Sequence, residues 1–350
     1  MSAAARRLAE GGLVAFPTET VYGLGARADQ AQAVAQIFAA KGRPSDHPLI
    51  VHVVDAAAAE AFAAVLPLVA RRLMQAFWPG PLTVIVPRRP AIAAGAAGGQ
   101  DSIGLRCPSH PVAQALLKAA LALGVPGVAA PSANRFGRVS PTRADHVRSE
   151  FAALPDLMIL DGGACAVGIE SAIVDCSRGR PVLLRPGGLS RQAIEAAAGE
   201  SLGAPDAQAP RASGTLAAHY APQARVRLLP HDALQAALAE TLCEPRLPEA
   251  GEMLAVYSRG AGVSALVQAV SAAHLLQRQM PDDPALAAQE LFAALRDFDA
   301  HGATQIWVEE PPQDSAWDGV RDRLRRAAAA AQGPSEASDD PGSAIGRAVP

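Results

Sequence analysis

A lysine in a loop-forming phrase is the first residue of this sequence that could do chemistry. Lys41 stands in Lys41-Gly42-Arg43-Pro44, and it is one of two lysines in a chain whose other 29 basic residues are arginine. A lysine ammonium is a compact point charge, whereas the arginine fork is planar and wider. Downstream, Pro131-Ser132-Ala133-Asn134 offers hydroxyl and amide groups in a turn-forming context. This combination predicts a binding site for a polyanion.

Two arginines end apolar runs elsewhere in the chain. Arg106 follows residues 103–105, and Arg185 follows residues 182–184. An arginine at the end of a strand is often simply solvated, but its guanidinium can also bind a carboxylate or a phosphate through two hydrogen bonds. Two such arginines in a chain that also carries Lys41 and Arg43 favour binding of both a carboxylate and a phosphate.

Other polar residues interrupt or follow apolar runs. Residues 18–22 place hydroxyls and a carboxylate after a predicted strand, where α/β folds bind ligands but where chains also commonly leave a core. Ser171 stands before the apolar run 172–174 and has the same status. His52 lies inside an apolar run, where a histidine is more often a hydrogen-bonded core residue than a ligand. Taken singly, these positions do not decide between structure and function.

Known nucleotide motifs are weak or absent. Residues 23–28 match G-x-G-x-x-A, but residues 18–22 separate them from the preceding strand, where the dinucleotide fingerprint needs a direct strand-to-turn junction. No Walker phosphate loop precedes Lys41, and the next residue is glycine, not serine or threonine. If a nucleotide binds, it binds through another architecture.

Composition narrows the class of protein. The 350 residues suggest two domains, and residues 1–200 carry 19 basic and 15 acidic side chains against 12 and 19 in residues 201–350. The four cysteines and eight histidines form no zinc-binding spacing and no disulfide framework. A faint resemblance to a secretory signal at Arg6 and Arg7 is interrupted by Glu10 and Pro17, and no apolar run reaches the roughly 18 residues of a membrane span. We expect a cytoplasmic protein with no membrane segment.

The pattern of apolar runs predicts an α/β fold. Strands and helices alternate over residues 1–200, and several intervals are too short for a crossover helix, which predicts a mixed sheet. Residues 201–222 are rich in Ala, Pro, Gly and Ser and predict a linker. Residues 223–331 predict a smaller parallel α/β domain, and residues 332–350 a disordered tail. The predicted strands of the first domain are residues 13–16, 49–53, 82–86, 103–105, 128–130, 157–160, 173–174 and 182–184.

Five phrases in a fixed order carry a resemblance to a known family. The phrases are residues 17–25, 41–52, 78–83, 131–134 with 140–142, and 168–171. Through them the chain resembles the YrdC/Sua5 family, whose members make threonylcarbamoyl-AMP for the t6A modification of tRNA. Residues 213–222 and 322–327 resemble the linker and the closing helix of the two-domain, Sua5-type members, although the linker lacks the usual proline before its glycine and Asp322 stands where asparagine is usual.

This resemblance implies an open, twisted mixed-sheet catalytic domain of the YrdC type and a small Rossmann-like second domain. It also implies a reaction in which L-threonine, bicarbonate and ATP give threonylcarbamoyl-AMP and pyrophosphate, with magnesium carried by ATP. The implied catalytic residues are Lys41 and Arg43. The implied ATP-binding residues are Lys41, Arg43, His47, Ser102, Ser132, Asn134, Ser140, Arg185 and Tyr220, and those for threonine are Thr20, His52, Arg106 and Ser171.

The resemblance leaves alternatives open. The product is expected to pass to the transferase complex that modifies tRNA, and tRNA itself could touch this chain. One rival function is an RNA-binding module without adenylate synthesis, although the few aromatic residues are not interleaved with basic ones. Another is nucleotide binding for a different acyl transfer. His219 and Tyr220 predict a lid that closes over the catalytic domain, or a segment that only docks the second domain.

Overall fold

The computed structural model describes residues 1–243, 253–260 and 275–331, which form a large mixed sheet and a separate parallel sheet. Helices cover both sheets, so the α/β class is confirmed. The first part of the chain contains α1 (Ser2–Ala9), β1 (Val14–Phe16), β2 (Gly23–Arg27), α2 (Ala31–Lys41), β3 (Ile50–His52), α3 (Ala56–Ala59), α4 (Leu68–Phe77), β4 (Leu82–Pro87), α5 (Ala94–Ala97), β5 (Ser102–Arg106), α6 (Pro111–Leu121), β6 (Val128–Ala129), α7 (Ala144–Glu150), β7 (Met158–Ile159), β8 (Ala172–Asp175), β9 (Val182–Arg185) and α8 (Arg191–Ala198).

The large sheet has nine strands in the order β7-β1-β2-β6-β3-β5-β4-β8-β9. Parallel pairing joins β1 to β7, β3 to β5 and β4 to β8, and the other neighbours are antiparallel. This confirms the predicted mixed sheet. The parallel pairing of β3 with β5 brings His52 opposite Arg106 in the register, so two candidate ligand-binding residues end neighbouring strands.

Local sequence explains where the helices of this domain begin and end. The hydroxyl of Ser190 accepts a hydrogen bond from the Ala193 amide and caps α8, and Gly199 ends the same helix in the left-handed conformation. Helix α4 buries Leu73 and Met74 on one face, as its amphipathic pattern predicts. The apolar faces of these helices pack on the sheet and fix the ends of the strands.

The second domain is a parallel sheet of four strands in the order β10-β13-β11-β12. Asp283 caps its longest described helix by accepting hydrogen bonds from two backbone amides, and that helix buries Leu291, Phe292 and Leu295. The elements are β10 (Arg225–Leu229), α9 (His231–Cys243), β11 (Leu254–Ser258), β12 (Leu275–Gln279), α10 (Pro284–Ala300), β13 (Gln305–Glu309) and α11 (Asp318–Ala330).

Three features differ from the pattern-based expectations or lie beyond them. Gly23 and Gly25 lie within β2 and not in a strand-to-helix turn, so the dinucleotide interpretation of residues 23–28 is wrong. The sequence pattern did not predict helix α1, which packs on α6 through Ala4, Ala5 and Leu8. The predicted tail, residues 332–350, lies outside the described residues.

Residues 201–222 run between the domains without a helix or a named strand. Isolated bridges tie Gly203 to Val182 and Ala221 to Arg138, so the segment is held against the first domain at both ends. Among the helices that the structure describes, none combines the length and the apolar character needed to cross a membrane.

The domain interface depends on Gly168, because its backbone conformation disfavours a side chain and its surroundings leave no space for one. Gly168 has φ +79°, and a Cβ there would lie 2.3 Å from Cα of Gln289 in α10. Gly179 has φ +81° but has open space around it. The left-handed conformation costs a non-glycine residue about 1–2 kcal/mol at either position, and only Gly168 also meets a backbone.

We expect Gly168→Ala to lower the melting temperature and to speed proteolysis of residues 201–222, because the added methyl group separates the two domains. Gly179→Ala is the matched control. Its free energy of unfolding should fall only by the cost of the left-handed conformation, about 1–2 kcal/mol. Thermal unfolding and limited proteolysis of both variants measure the difference. Equal losses in the two variants would contradict the interface argument.

Candidate active site

Three of the predicted cationic residues are the last residues of their helix or strand, and these ends lie in one region of the first domain. Lys41 is the last residue of α2, Arg106 the last of β5 and Arg185 the last of β9. All three side chains are buried. A cavity of about 40 Å³ lies between these elements and the linker. Its lining comprises Thr18, Val21, Gly23, Arg43, Ile50, His52, Arg106, Ala130, Pro131, Ser132, Glu170, Ser171, Arg185, Ser213, Gly214, His219 and Tyr220.

One end of the site is built around Arg106. Its Nη2 lies 2.7 Å from Oε1 of Glu19, and its Nη1 donates a hydrogen bond of 2.8 Å to Oγ1 of Thr20. Thr18 and Thr20 share a hydrogen bond of 2.8 Å between their hydroxyls. All four side chains are buried, so a guanidinium, a carboxylate and two hydroxyls lie together at the end of the sheet. This set can bind a small molecule that carries a carboxylate and a hydroxyl.

His52 lies beside Arg106 and is uncharged. Burial, with a smaller contribution from the neighbouring Arg106, lowers the pKa of His52 to about 3, so the ring is neutral at physiological pH. Its Nδ1 atom is buried without a hydrogen-bond partner. A buried polar atom normally has a partner, so this nitrogen is available to a bound polar ligand.

The other end of the site gathers cations. Lys41 donates from Nζ to the backbone oxygen of Ser132 at 2.6 Å and to that of Asn134. Burial lowers the pKa of Lys41 well below its ordinary value, and Arg43 lowers it further. Arg43 donates to the Pro48 carbonyl at 3.1 Å. Burial also lowers the pKa of Arg43, to about 10. An anion that entered this region would offset the cost of confining these charges.

Arg185 connects the cationic group, Lys41 and Arg43, with the end of the site that is built around Arg106. It donates to the backbone oxygen of Ser171 through Nε at 3.1 Å and Nη2 at 2.9 Å, and to that of Ser213 through Nη1 at 2.7 Å. The Ser171 hydroxyl lies 2.8 Å from that of Thr83. The acceptors of the guanidinium are therefore mostly backbone carbonyls, which carry only partial charges.

Two further predicted nucleotide ligands are buried near the cations. Asn134 donates from Nδ2 to the carbonyls of Arg135 and Arg138, and its Oδ1 is buried without a partner. Ser140 donates from Oγ to Oε1 of Glu170, a carboxylate that lines the cavity. Ser140 and Asn134 follow the Ser132 turn, so one connection supplies hydroxyl and amide groups to the same side of the cavity.

The linker is part of the site. Ser213, Gly214, His219 and Tyr220 all line the cavity, and the Ser213 hydroxyl lies 3.4 Å from Nη2 of Arg43. Tyr220 has φ +60°, a backbone conformation that is costly for a non-glycine residue and that turns its ring inward. Its ring lies 5.3 Å from that of Phe292 in α10, and His219 donates its amide to the Arg326 carbonyl in α11. The pair covers the cavity and docks the second domain together.

The lining of this cavity does not include every predicted residue. Lys41, Thr20 and Ser140 reach it through hydrogen bonds to the lining residues Ser132, Arg106 and Glu170, and Asn134 is also absent from the lining. Ser102, at the start of β5, lines a neighbouring cavity with Thr83 and Gln100. His47 lies on the loop after Arg43, half-buried, with its ring 5.3 Å from that of Phe136. Ile50 and Ser213 line both cavities, and Ser102 begins the strand that ends at Arg106, so the two cavities are neighbours.

Sequence reasoning missed several residues that the geometry places in the site. Glu19 pairs with Arg106, and Glu170 accepts from Ser140. Both acids stand inside the phrases that carried the family resemblance, which is the signal that could have found them. Ser213 and Gly214 belong to the linker phrase, but the lid was predicted only from His219 and Tyr220, so these two residues were missed.

Metal ligands are not clustered in this part of the molecule. Among the described residues, no group of three or more His, Cys, Asp or Glu side chains is arranged to hold a metal ion. Glu170 is the one carboxylate among the described residues that line the cavity, and Ser140 and Arg323 already engage its two oxygens.

Comparisons with known proteins agree over most of the chain. A family model described as Sua5_yciO_yrdC, telomere recombination, matches residues 6–187, and one described as threonylcarbamoyl-AMP synthase, C-terminal domain, matches residues 189–329. The threonylcarbamoyl-AMP synthase of Pyrococcus abyssi is 37% identical over 331 residues, which cover 93% of this chain and 92% of that protein. The chain belongs to the threonylcarbamoyl-AMP synthase family.

Other family members support the same assignment. The threonylcarbamoyl-AMP synthase of Bacillus subtilis is 37% identical over 340 residues, covering 93% of this chain and 92% of that protein. The crystal structure of P. abyssi Sua5 complexed with L-threonine matches with a TM-score of 0.81 and 35% identity, covering 94% of each chain. The predicted two-part α/β fold of the YrdC/Sua5 type is therefore confirmed.

The buried ion pair of this family member should matter for stability. Glu19→Ala leaves Arg106 as a buried charge without its carboxylate, which costs about 3–5 kcal/mol. The exposed pair of Arg71 and Glu60, with side chains 56% and 61% exposed, offers a matched control. Glu60→Ala should cost at most about 1 kcal/mol.

Denaturant unfolding of both variants and of Glu19→Ala with Arg106→Met measures this difference. The double variant should regain stability relative to Glu19→Ala, because it removes the unpaired charge. A loss in Glu19→Ala as small as that in Glu60→Ala would contradict the pairing.

Proposed function

We infer that this protein is a threonylcarbamoyl-AMP synthase, which uses L-threonine, bicarbonate and ATP to make threonylcarbamoyl-AMP and pyrophosphate. The observation that carries this proposal is a single buried site with two chemically different ends. Arg106 lies with Thr20 and Glu19 at one end, and Lys41 and Arg43 lie at the other. The first end suits an amino acid that has a hydroxyl, and the second suits a triphosphate.

Threonine binding is assigned to Thr20, His52, Arg106 and Ser171. The guanidinium of Arg106 binds the carboxylate, and the neutral imidazole of His52 has a free buried nitrogen for a polar group of the substrate. A site that hydrogen-bonds the substrate hydroxyl disfavours valine, because an unpaired buried polar group costs about 1–3 kcal/mol. The P. abyssi structure complexed with L-threonine supports this choice of amino acid.

ATP binding is assigned to the cationic end. Lys41, Arg43 and Arg185 neutralise the triphosphate, and magnesium enters as part of the ATP complex, bound by phosphate oxygens. Ser132, Asn134 and Ser140 hold the nucleotide through hydroxyl and amide groups, and Tyr220 covers it. His47 and Ser102 take outer positions, because Ser102 lines a neighbouring cavity and the ring of His47 lies against Phe136.

The chemistry needs alignment more than a protein nucleophile. The neutral amine of threonine adds to carbon dioxide with loss of a proton, or condenses with bicarbonate with loss of water, and forms a carbamate. A carbamate oxygen then attacks the α-phosphorus of ATP. Pyrophosphate leaves from that phosphorus with the bonding electron pair. The cations at the end of α2 and β9 stabilise the charge that develops on the phosphate oxygens, which is the main contribution that a protein makes to such a transfer.

The product is a mixed anhydride that water destroys, so we propose that the linker closes over it. Ser213, Gly214, His219 and Tyr220 of the linker line the cavity, so we infer that the linker withdraws when a nucleotide enters. Ser213 and Tyr220 would then return over the bound substrates. Direct transfer of the product to the cytoplasmic complex that transfers threonylcarbamoyl to tRNA would protect it further. We include in this proposal a direct contact between this protein and tRNA.

Mass spectrometry of a reaction with ATP, magnesium, bicarbonate and threonine tests the function. Threonylcarbamoyl-AMP should form only with all four components, and valine should replace threonine poorly. Pyrophosphate release that does not depend on threonine would identify a different acyl transfer. Salt-sensitive tRNA binding without pyrophosphate release would identify an RNA-binding module instead.

Lys41→Ala should lower pyrophosphate release at least about a hundredfold, because it removes a preorganised charge at the phosphate end. Lys41→Arg should also be impaired, because the wider fork does not reproduce the contacts of Nζ with two carbonyls. Lys118→Ala, at the exposed second lysine, is the matched control and should be fully active. A steady-state pyrophosphate assay decides, and near-normal turnover of Lys41→Ala would refute the assignment.

Arg106→Ala should raise the KM for threonine far more than that for ATP, and Arg185→Ala should do the reverse. The reason is that one guanidinium binds the amino-acid carboxylate and the other lies with the nucleotide. Steady-state kinetics with each substrate varied in turn measures both constants. If the two variants shift both constants equally, the division of the site into two ends is wrong.

A further inference from the structure

The most deeply buried arginine of the described chain belongs to the second domain and reaches the active site. Arg323 lies in α11 and is 1% exposed. Its Nε donates to Oε2 of Glu170 at 3.0 Å, and its Nη2 donates to the Glu170 carbonyl at 3.1 Å. Its Nη1 donates to the carbonyl of Pro186 at 2.7 Å. One side chain thus fixes the residues that precede β8 and follow β9.

Glu170 transmits this contact into the cavity. It lines the cavity itself, and its Oε1 accepts the hydrogen bond from the Ser140 hydroxyl. The guanidinium of Arg323 also lies 5.5 Å from the centre of the Tyr220 ring. Ser140 and Tyr220 are both assigned to ATP, and one arginine from the other domain contacts or orders each of them.

We propose that Arg323 is a positioning residue for ATP binding and adenylation, which holds Glu170 and, through it, the Ser140 hydroxyl in place beside the Tyr220 ring. The second domain therefore completes the catalytic site with a buried charge. This inference rests on the proposed synthase function, and it assigns to the second domain a role in the reaction that goes beyond docking the linker.

The charge on Glu170 depends on this pair. Burial raises the pKa of Glu170, but Arg323, Arg185 and the Ser140 hydroxyl lower it by more, so its net shift is downward and it is ionised at neutral pH. Without Arg323, less positive charge offsets the effect of burial, so the pKa of Glu170 must rise. The charged and titratable groups that face Glu170 are Arg323 and Asp322 of α11, Arg185 of β9, His219 and Tyr220 of the linker, and Lys41 of α2.

Arg323→Met in the full-length protein is the first test. We expect the KM for ATP to rise about 10- to 100-fold, as for loss of a charge-assisted hydrogen bond, and the KM for threonine to change little. The acidic limb of the profile of kcat/KM for ATP against pH should move to higher pH, because a protonated Glu170 is uncharged and accepts the hydrogen bond from Ser140 only weakly. The limb should be absent when Glu170→Gln is combined with Arg323→Met.

Two variants separate positioning from simple attachment of the domains. Arg323→Lys keeps the positive charge and should restore the acidic limb, but only part of the ATP affinity, because it loses the fork that also bonds Pro186. Arg143→Met removes another interdomain contact, 3.7 Å from Asp297, outside the cavity, and should leave both the KM for ATP and the pH profile unchanged. If Arg323→Met does not fold, Arg323→Lys and Glu170→Gln carry the test.

The readouts also separate this inference from the proposed function. Product formation by the unaltered protein reports on the synthase activity, and calorimetric titration of the variants with ATP and magnesium reports on Arg323. ATP affinity and pH profile that are unchanged in Arg323→Met would overturn the proposal. So would a loss of the same size in Arg143→Met, or a loss in Arg323→Met that is independent of pH.

Discussion

The cost of burying positive charge is the constraint on which the rest of this structure depends. Lys41 and Arg185 lie at the ends of their elements with nearly all of their surface covered. Backbone carbonyls satisfy their hydrogen bonds, but a carbonyl supplies only a partial charge, so the cations stay under-compensated and the pKa of each lies below its ordinary value. The mixed sheet is what makes this arrangement possible, because it holds the strand ends rigidly while the turns between them supply the acceptors.

Two domains share this site through buried contacts. Glu170 belongs to the first domain and Arg323 to the second, yet they are 153 residues apart in sequence and form one ion pair. Removing either partner leaves a buried charge alone, which is far more costly than losing an exposed pair. Gly168 lets the chain pass close to α10 directly beside Glu170. The domain interface and the site therefore constrain the same four residues, 168–171. A substitution there that alters one also alters the other.

Sequence patterns predicted the fold where the local signal was strong. The apolar runs at β1, β3 and β4 predict strands because consecutive buried residues mark a strand that is covered on both faces. Strand β2 was missed because Gly23-Leu24-Gly25-Ala26 has little β-propensity, and it becomes a strand only through pairing with β1 and β6. The cationic residues were predicted from residue type and phrase. The pairing of Glu170 with Arg323 was beyond prediction, because no local rule relates two residues so far apart.

The linker and the substrate make use of the same donors, and this connects binding to closure. In the conformation described, Arg185 donates to the Ser213 carbonyl, and Arg43 lies within reach of the Ser213 hydroxyl. Under the proposed function, the triphosphate of ATP carries full charges and is a stronger acceptor than either group, so we expect it to displace them when it binds. Displacement frees the segment at Gly214, whose φ of +70° and close approach to the Tyr220 hydroxyl keep that region compact. Under the proposed function, loading of ATP therefore exchanges acceptors at the same guanidinium groups, and the linker then closes over the bound substrates.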